Sequence, residues 1–416
     1  MKTDFLGKTS FVGLIMVLLA SLFLVSVAGD KAIAAEETYK IGVVLSLTGG
    51  YATFSRAMLA ADEIAAEEFN KAGGILGRKI ELEVRDDQLK VETSVRVTKE
   101  LIERHNVKAI LGSVGSHCTL AMVGVTGEHN VLHITGCPSS EALVVQQFKR
   151  NYFQVSPNTY MEARAEIRFV VNDPKFKAYG TFCSDYEMGR SFGNIAKEIL
   201  AKERPDMKLV GQWWPPLGEA QFTGYITAML AAKPDVILTL VGGGDVPPFV
   251  KQAKPYGFFE KIKYIWPLFV ADAVALGKEM PEGIYAVNRA PFFAINTPKM
   301  KSFIEKYHKK EGVYPDEFSV MTYDAFHALM AGIKQANSFD NNAIIEAMEN
   351  MTFETCSGKR YFRKVDHQMN APEHVGIMGF VPEYPFAIMK NVKVINAEET
   401  WRSPEEVLKL REAAKK

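Results

Sequence analysis

The chain has no surplus of charge: Lys plus Arg and Asp plus Glu each number 49 in 416 residues. That removes the electrostatic footprint of a nucleic-acid binder. Cysteine is scarce, with four residues at 118, 137, 183 and 356, and none stands in a CxxC or other metal-ligand spacing. No GxGxxG follows the first apolar strand and no GxxxxGK[ST] occurs, so the two common nucleotide-phosphate loops are missing. Gly242-Gly243-Gly244 is therefore not a phosphate loop. No nucleophile–base pair is apparent, and no cofactor is called for. Only one long apolar run exists, Phe11 to Ala28, so the chain beyond it reads as an ordinary globular protein.

What is present begins with that run. Lys2 and Lys8 precede it, and Ala32-Ile33-Ala34 follows it with small-residue cleavage spacing. Residues 1–34 are read as a cleavable export signal, placing the mature chain in the periplasm or outside the cytoplasm. No Cys lies near the cleavage site, which argues against a lipid anchor. Such a compartment permits disulfides, and four cysteines allow three pairings.

The stretch Lys108 to Ser140 is the most informative. Ala109 to Leu111 reads as a strand, Gly112 to Ser116 as a small-residue turn and Thr119 to Glu128 as a helix. Val131 to Thr135 is a second strand, and Gly136 to Ser140 a second turn. In a parallel sheet both turns lie on one edge, where backbone N–H groups and a helix N-terminus favour an anion. Ser116 and Ser139 are candidate jaws of one site for a small anionic or polar ligand. The plain alternative is that both are helix caps. His117 could donate to an anion; a lone His without ligand-spaced partners is more often structural.

The same grammar runs along the chain. Thr38–Leu47, Lys79–Val84 and Tyr152–Val155 complete a first parallel sheet, with helices over 54–71 and 91–104. It restarts with strands at Ala178–Cys183, Lys208–Gln212, Pro234–Leu240, Tyr264–Pro267 and Ile284–Val287. Residues 297–337 read as helical, and short strands follow Phe353. The fold class is α/β: two doubly wound parallel-sheet lobes joined by a hinge of several crossovers. The division expected is 36–156 plus 291–360 for the first lobe and 157–290 plus 361–416 for the second. Two remaining motifs read as structural. Asp366-His367-Gln368 lacks a nucleophile to serve, and Trp213-Trp214-Pro215-Pro216 fits packing better than a cleft wall.

Several phrases in order, among them KIGVVLSLTGGYATFSRAM, FNKAGGILGRKIEL, AILGSVGSHCT, CSDYEMGRSFGN, FVKQAKPYGF and FSVMTYDAFHAL, resemble the type I periplasmic substrate-binding proteins of branched-chain amino acid (Leu/Ile/Val) ABC transporters. The resemblance covers residues 38 to 395. It implies three crossovers, a ligand in the inter-lobe cleft and delivery to a membrane permease. It places an aromatic wall on Phe54 with Tyr51 nearby. The ligand carboxylate falls to Ser116, Cys137 and Ser139, and a further aromatic to Phe318. It turns Asp185 and Tyr186 toward the cleft.

The chain departs from that pattern where the family holds an ammonium. The matching carboxylate position is Leu268, beside Trp266, which is itself expected to line the cleft, and a family aromatic falls in Gly242-Gly243-Gly244. An α-ammonium without a counter-charge is costly to bury. The ligand expected is a carboxylate without an α-amino group, or another small polar or aromatic compound. Asp185 or Asp245 is the alternative ammonium partner. The rival function is a ligand-sensing ectodomain of the same fold, held at the membrane by an uncleaved N-terminus.

Overall fold

The structure, a computed structural model, describes residues 38–416. The export signal expected over 1–34 lies outside the described residues. The first sheet is built from β1 (Tyr39–Leu45), β2 (Ile80–Asp86), β3 (Ala109–Gly112), β4 (Leu132–Thr135) and β5 (Tyr152–Gln154). Its order is β2-β1-β3-β4-β5, and every pairing is parallel. β1, β3 and β4 are almost wholly buried, which is why they read as near-continuous apolar runs rather than alternating ones.

The second sheet repeats this winding with β6 (Ala178–Cys183), β7 (Lys208–Trp213), β8 (Val236–Leu240), β9 (Lys263–Pro267) and β10 (Tyr285–Asn288). A small hairpin, β11 (Phe353–Thr355) and β12 (Gly358–Arg360), precedes β13 (Glu373–Gly379) and β14 (Ile388–Ile395). The last two strands join the second sheet antiparallel, giving the order β14-β13-β10-β9-β8-β6-β7. In both sheets the strand order reverses beside the first strand of the lobe. Ligands of open α/β sheets lie at such switch points, beyond the strand C-termini.

The chain passes between the sheets three times: after β5, after β10 and before β13. Gln368 ties the first passage to the third. Its Oε1 accepts from Gln154 Nε2 at 3.3 Å and Asn158 Nδ2 at 3.2 Å, while its Nε2 donates to the Ser156 carbonyl at 2.8 Å. His367 stacks on Phe153 with ring centroids 4.0 Å apart, and its ring nitrogens meet the Tyr152 carbonyl and Glu349. The Asp366-His367-Gln368 motif thus braces the hinge.

Two expectations shift. The helical stretch over 297–337 is two helices, Pro298–Glu311 and Glu317–Ala336. Gly312 closes the first in a left-handed conformation (φ 73°), and the Asp316 carboxylate caps the second through the Ser319 N–H. The tail after β14 was expected on the second lobe, yet the helix Pro404–Ala413 seats Val407 among Val123, Leu143, Val144, Val145 and Tyr152 of the first. Apolar burial, not chain order, decides where it packs. Just before it, Arg402 binds Glu141 on one side at 2.6 Å and Glu198 on the other at 3.0 Å, spanning the two halves. Among the described residues no helix is long and apolar enough to cross a membrane.

Candidate ligand-binding site

The turns beyond β1, β2 and β3 are held by one carboxylate. Asp87 is fully buried and accepts from Ser46 Oγ at 2.6 Å, Ser113 Oγ at 2.6 Å, Ser94 Oγ at 3.1 Å and the Leu89 N–H at 2.8 Å. Gly112 is required here: its φ is 101°, and a Cβ would lie 1.9 Å from the Val44 carbonyl oxygen. Gly136 lets the turn after β4 pass the helix Glu317–Ala336, since a Cβ there would stand 2.6 Å from the Thr322 nitrogen.

These turns meet their counterparts of the second lobe around one small cavity of about 20 Å³. It is lined by Tyr51, Phe54, Val114, Cys137 and Phe318 from one side, and by Tyr186, Met188, Gly242 and Phe269 from the other. Phe54 and Phe318 lie edge to face at 4.7 Å, and Phe269 completes the trio at 5.9 Å and 5.3 Å from them. Edge-to-face rings at these spacings favour one another. Across the lobes the Tyr51 hydroxyl donates to the Tyr186 hydroxyl at 3.3 Å, and Ser140 Oγ donates to Glu187 Oε1 at 2.7 Å. Burial pushes both phenols up, so both stay neutral.

The one charged side chain in the lining is Arg289, on the passage after β10. It is 4% exposed, and its guanidinium has four fixed neighbours. Nε donates to Glu162 Oε1 at 2.7 Å, with Nη2 2.6 Å from the same oxygen. Nη1 donates to the Cys137 carbonyl at 2.8 Å, and Nη2 to Ser139 Oγ at 3.0 Å. Its plane lies 5.5 Å from the Phe318 ring centroid and 5.9 Å from that of Phe269. Burial works against its charge, and the Glu162 carboxylate more than offsets this.

No carboxylate lines the cavity to meet an ammonium. Leu268 is completely buried, with its N–H donating to the Val287 carbonyl at 2.8 Å. Gly242 leaves its space to Phe269: a Cβ at 242 would lie 2.4 Å from the Phe269 ring. The aromatic absent from the glycine run is replaced by one arriving from β9's turn. Asp245 accepts the Gly218 N–H at 2.9 Å, and burial pushes its carboxyl up to about 6. Asp272 holds the Gly243 N–H with both oxygens at 3.1 Å. Neither reaches the cavity lining.

Of the residues singled out from sequence, Tyr51, Phe54, Cys137, Tyr186 and Phe318 come together in the wall. Ser116 and Ser139 are adjacent, but the Ser116 hydroxyl accepts the Ser139 and Ser140 N–H groups, both at 3.3 Å. It fastens the turn, and Ser139 reaches the site through Arg289. Ser116 is also the first residue of the helix Ser116–Glu128, three residues earlier than its apolar pattern indicated. His117 sits behind Tyr186, its ring 5.6 Å away and Nε2 3.2 Å from the Leu89 carbonyl. Two placements correct the sequence reading. Trp266 is 1% exposed inside the second lobe, with Nε1 donating to the Val241 carbonyl, because its strand position points into the core. Asp185 turns outward to Arg190 at 2.6 Å. Trp214 lies under Arg190, away from the cavity. The four thiols are buried and unpaired. Sequence reasoning missed Arg289, Phe269 and Met188. A buried Arg is rare without a partner, and its partner Glu162 is 127 positions away, beyond any local pattern.

A family described as periplasmic binding protein matches residues 38–376. Among curated relatives, the leucine-, isoleucine-, valine-, threonine- and alanine-binding protein of Pseudomonas aeruginosa is 24% identical over 332 residues, covering 79% of this chain and 86% of its own length. A periplasmic binding protein from Burkholderia mallei superposes with a TM-score of 0.81 at 19% identity, covering 89% of this chain and 97% of that one. An ABC-transporter solute-binding protein from Rhodopseudomonas palustris, solved with 3,4-dihydroxybenzoic acid, superposes with a TM-score of 0.77 at 21% identity, covering 89% and 99%.

Proposed function

We propose that this chain, which belongs to the periplasmic binding protein family, captures a small carboxylate between its lobes outside the cytoplasm and delivers it, unchanged, to an ABC permease. The lobes are taken as 36–156 plus 291–360 and 157–290 plus 361–416, the closing helix excepted, and residues 1–34 as the export signal. The observation that carries the reading is the lining: rings at Tyr51, Phe54, Phe269, Phe318 and Tyr186 surround a site whose one charged side chain is Arg289. Flat apolar walls with one cation suit an aromatic or compact carboxylate. They offer an α-ammonium no counter-charge. The solved relative with dihydroxybenzoic acid supports that class, and the amino-acid-binding relatives support a carboxylate of similar size. Five of the candidate residues read from sequence serve as wall, and Ser139 as support for Arg289.

A thermal-shift series tests this. A ligand at about 100 times its Kd adds about 2.7 kcal/mol to the bound form. Benzoate, 4-hydroxybenzoate and cyclohexanecarboxylate are expected to raise Tm, with leucine, phenylalanine and benzamide inert. Stabilisation by leucine alone would overturn the carboxylate reading. Mass spectrometry of the mature N-terminus, expected just after Ala34, tests export against retention.

A further inference from the structure

Each of the three inter-lobe passages brings a buried ionisable group to one point. The first leads into the helix Thr159–Ile167, which carries Glu162 and Glu166. The second carries Arg289, and the third leads into β13, which opens on Glu373. Glu162 is 4% exposed, Glu166 1% and Glu373 0%. Glu162 and Glu373 therefore stand near one guanidinium, and Glu166 faces both carboxyls. Glu166 accepts the Thr239 N–H at 3.2 Å. Neither oxygen of Glu373 has a hydrogen-bond partner among the described residues, nor does Glu162 Oε2.

Charge counting limits what this cluster can hold. An ionised carboxylate without partners is very costly to bury, so Glu373 carries a proton. Burial likewise pushes Glu166 up. Glu162, at 2.6 Å from Arg289, is the ionised partner, and the pair is neutral. An Arg has five N–H groups. Two meet Glu162, one the Cys137 carbonyl and one Ser139. The second hydrogen of Nη1 has no hydrogen-bond partner among the described residues, and Arg289 lines the cavity; Nη2 also lies 3.9 Å from the Met188 sulfur. An arriving carboxylate that takes this hydrogen shares Arg289 with Glu162. Two carboxylates on one guanidinium in a water-poor site repel, which raises the pKa of the weaker partner.

We infer that Arg289 is the anion receptor of the cavity, and that Glu162 takes up a proton from solvent as an anionic ligand binds, so that capture is coupled to protonation. This rests on the carboxylate reading above. The proton settles on Glu162 Oε2, the oxygen that Arg289 leaves free. Other groups face the cluster. Asp316, whose carboxyl burial pushes up to about 6, caps the helix Glu317–Ala336 through the Ser319 N–H. His374 follows Glu373, and burial pushes its imidazole down to about 4, so it stays neutral. The Cys137 thiol is pushed up to about 12 and Glu317 to about 8, both by burial. On the helix Glu187–Glu203, Glu187 is held by Ser140 and Glu198 by Arg402. The arrangement also couples to closure. Arg289 and Glu162 stay together on the hinge, whereas the bonds to Cys137 and Ser139 reach the first lobe and form only when the lobes close.

The test is calorimetry of benzoate binding to the intact protein in two buffers of different ionisation enthalpy, from pH 6 to 8. The expected result is uptake of up to one proton per benzoate, with affinity weakening as pH rises by up to about tenfold per pH unit, the limit for one linked proton. E162Q is expected to bind benzoate more tightly at pH 8 and to lose the pH slope, because Arg289 is then uncompensated. E373Q is expected to keep both the affinity and the slope. Benzoate binding without proton uptake, or an unchanged slope in E162Q, overturns the inference and leaves the carboxylate reading standing. If neither benzoate nor cyclohexanecarboxylate binds at any pH, the carboxylate reading fails and the inference with it. The wild-type buffer comparison needs no variant to fold.

Discussion

The two lobes share one winding but contribute to the cavity differently. The first lobe's turns are rich in hydroxyls, and most of them are consumed internally: Ser46, Ser94 and Ser113 on Asp87, Ser116 on the turn after β4, while Ser139 and Ser140 reach Arg289 and Glu187. The second lobe's turns carry few hydroxyls and supply bulk instead, through Tyr186, Met188 and Phe269. The lesson is that polar residues at strand ends need not face a ligand. On one side they hold backbone turns in place so that Phe54 and Phe318 are presented. On the other, a missing Cβ at Gly242 makes room for a ring carried by a different turn. Charge enters from neither lobe's turns but from the passage between them.

Asp87→Ala should break the comparison most severely. It strands the Ser46 and Ser113 hydroxyls and the Leu89 N–H, while Ser94 keeps the Lys90 carbonyl; at about 1–3 kcal/mol for each unpaired group, a loss of at least about 3 kcal/mol is expected in urea unfolding. The same change at the outward-facing Asp185 should be nearly silent. Phe269→Ala should follow, at about 3–4 kcal/mol for a buried ring, with benzoate stabilisation abolished. Gly242→Phe in that background tests whether the ring refills the wall from the glycine run, and recovery of the Tm shift is the expected outcome.

Asp324 sharpens the contrast between first-lobe carboxyls. Fully buried on the helix Glu317–Ala336, it accepts the Cys356 N–H at 2.7 Å, and burial pushes its carboxyl up to about 6. A raised carboxyl favours the protonated native state. Its contribution is therefore present below the unfolded value near 3.8 and is lost as pH rises through about 6. Asp324→Asn should remove that dependence and stabilise the protein at pH 7.5 by up to about 2–3 kcal/mol, read as Tm against pH. Ser116→Ala is expected to cost about 1 kcal/mol of stability while leaving the benzoate Kd within about twofold, since its hydroxyl serves the turn. Tyr51→Phe, the smallest effect, removes one inter-lobe hydroxyl bond. About 0.5–1.5 kcal/mol should be lost from closure, seen as faster ligand release with little change in Tm.

Much was legible in advance because the signals are local. The buried parallel strands declare themselves as apolar runs, and the turns after them by glycine and serine, so both windings followed from the chain in order. Tyr51, Phe54, Cys137, Tyr186 and Phe318 came from the family resemblance rather than from periodicity, and the structure brings them together in one wall. Trp266 was misjudged by one residue of alternation: it points inward, and the ring that reaches the cavity belongs to Phe269. The hinge's bracing by His367 and Gln368 was not legible, since their partners lie across the hinge, more than two hundred positions away for Gln368.

The sequence alone determined two wound sheets and the edge on which their turns gather, because strand periodicity and turn chemistry act over a few residues. Only the tertiary structure decided which charge stands at that edge. Arg289 becomes a buried cation solely because Glu162, Cys137 and Ser139 surround it from distant segments, and a charge survives out of water only where the fold assembles its partners.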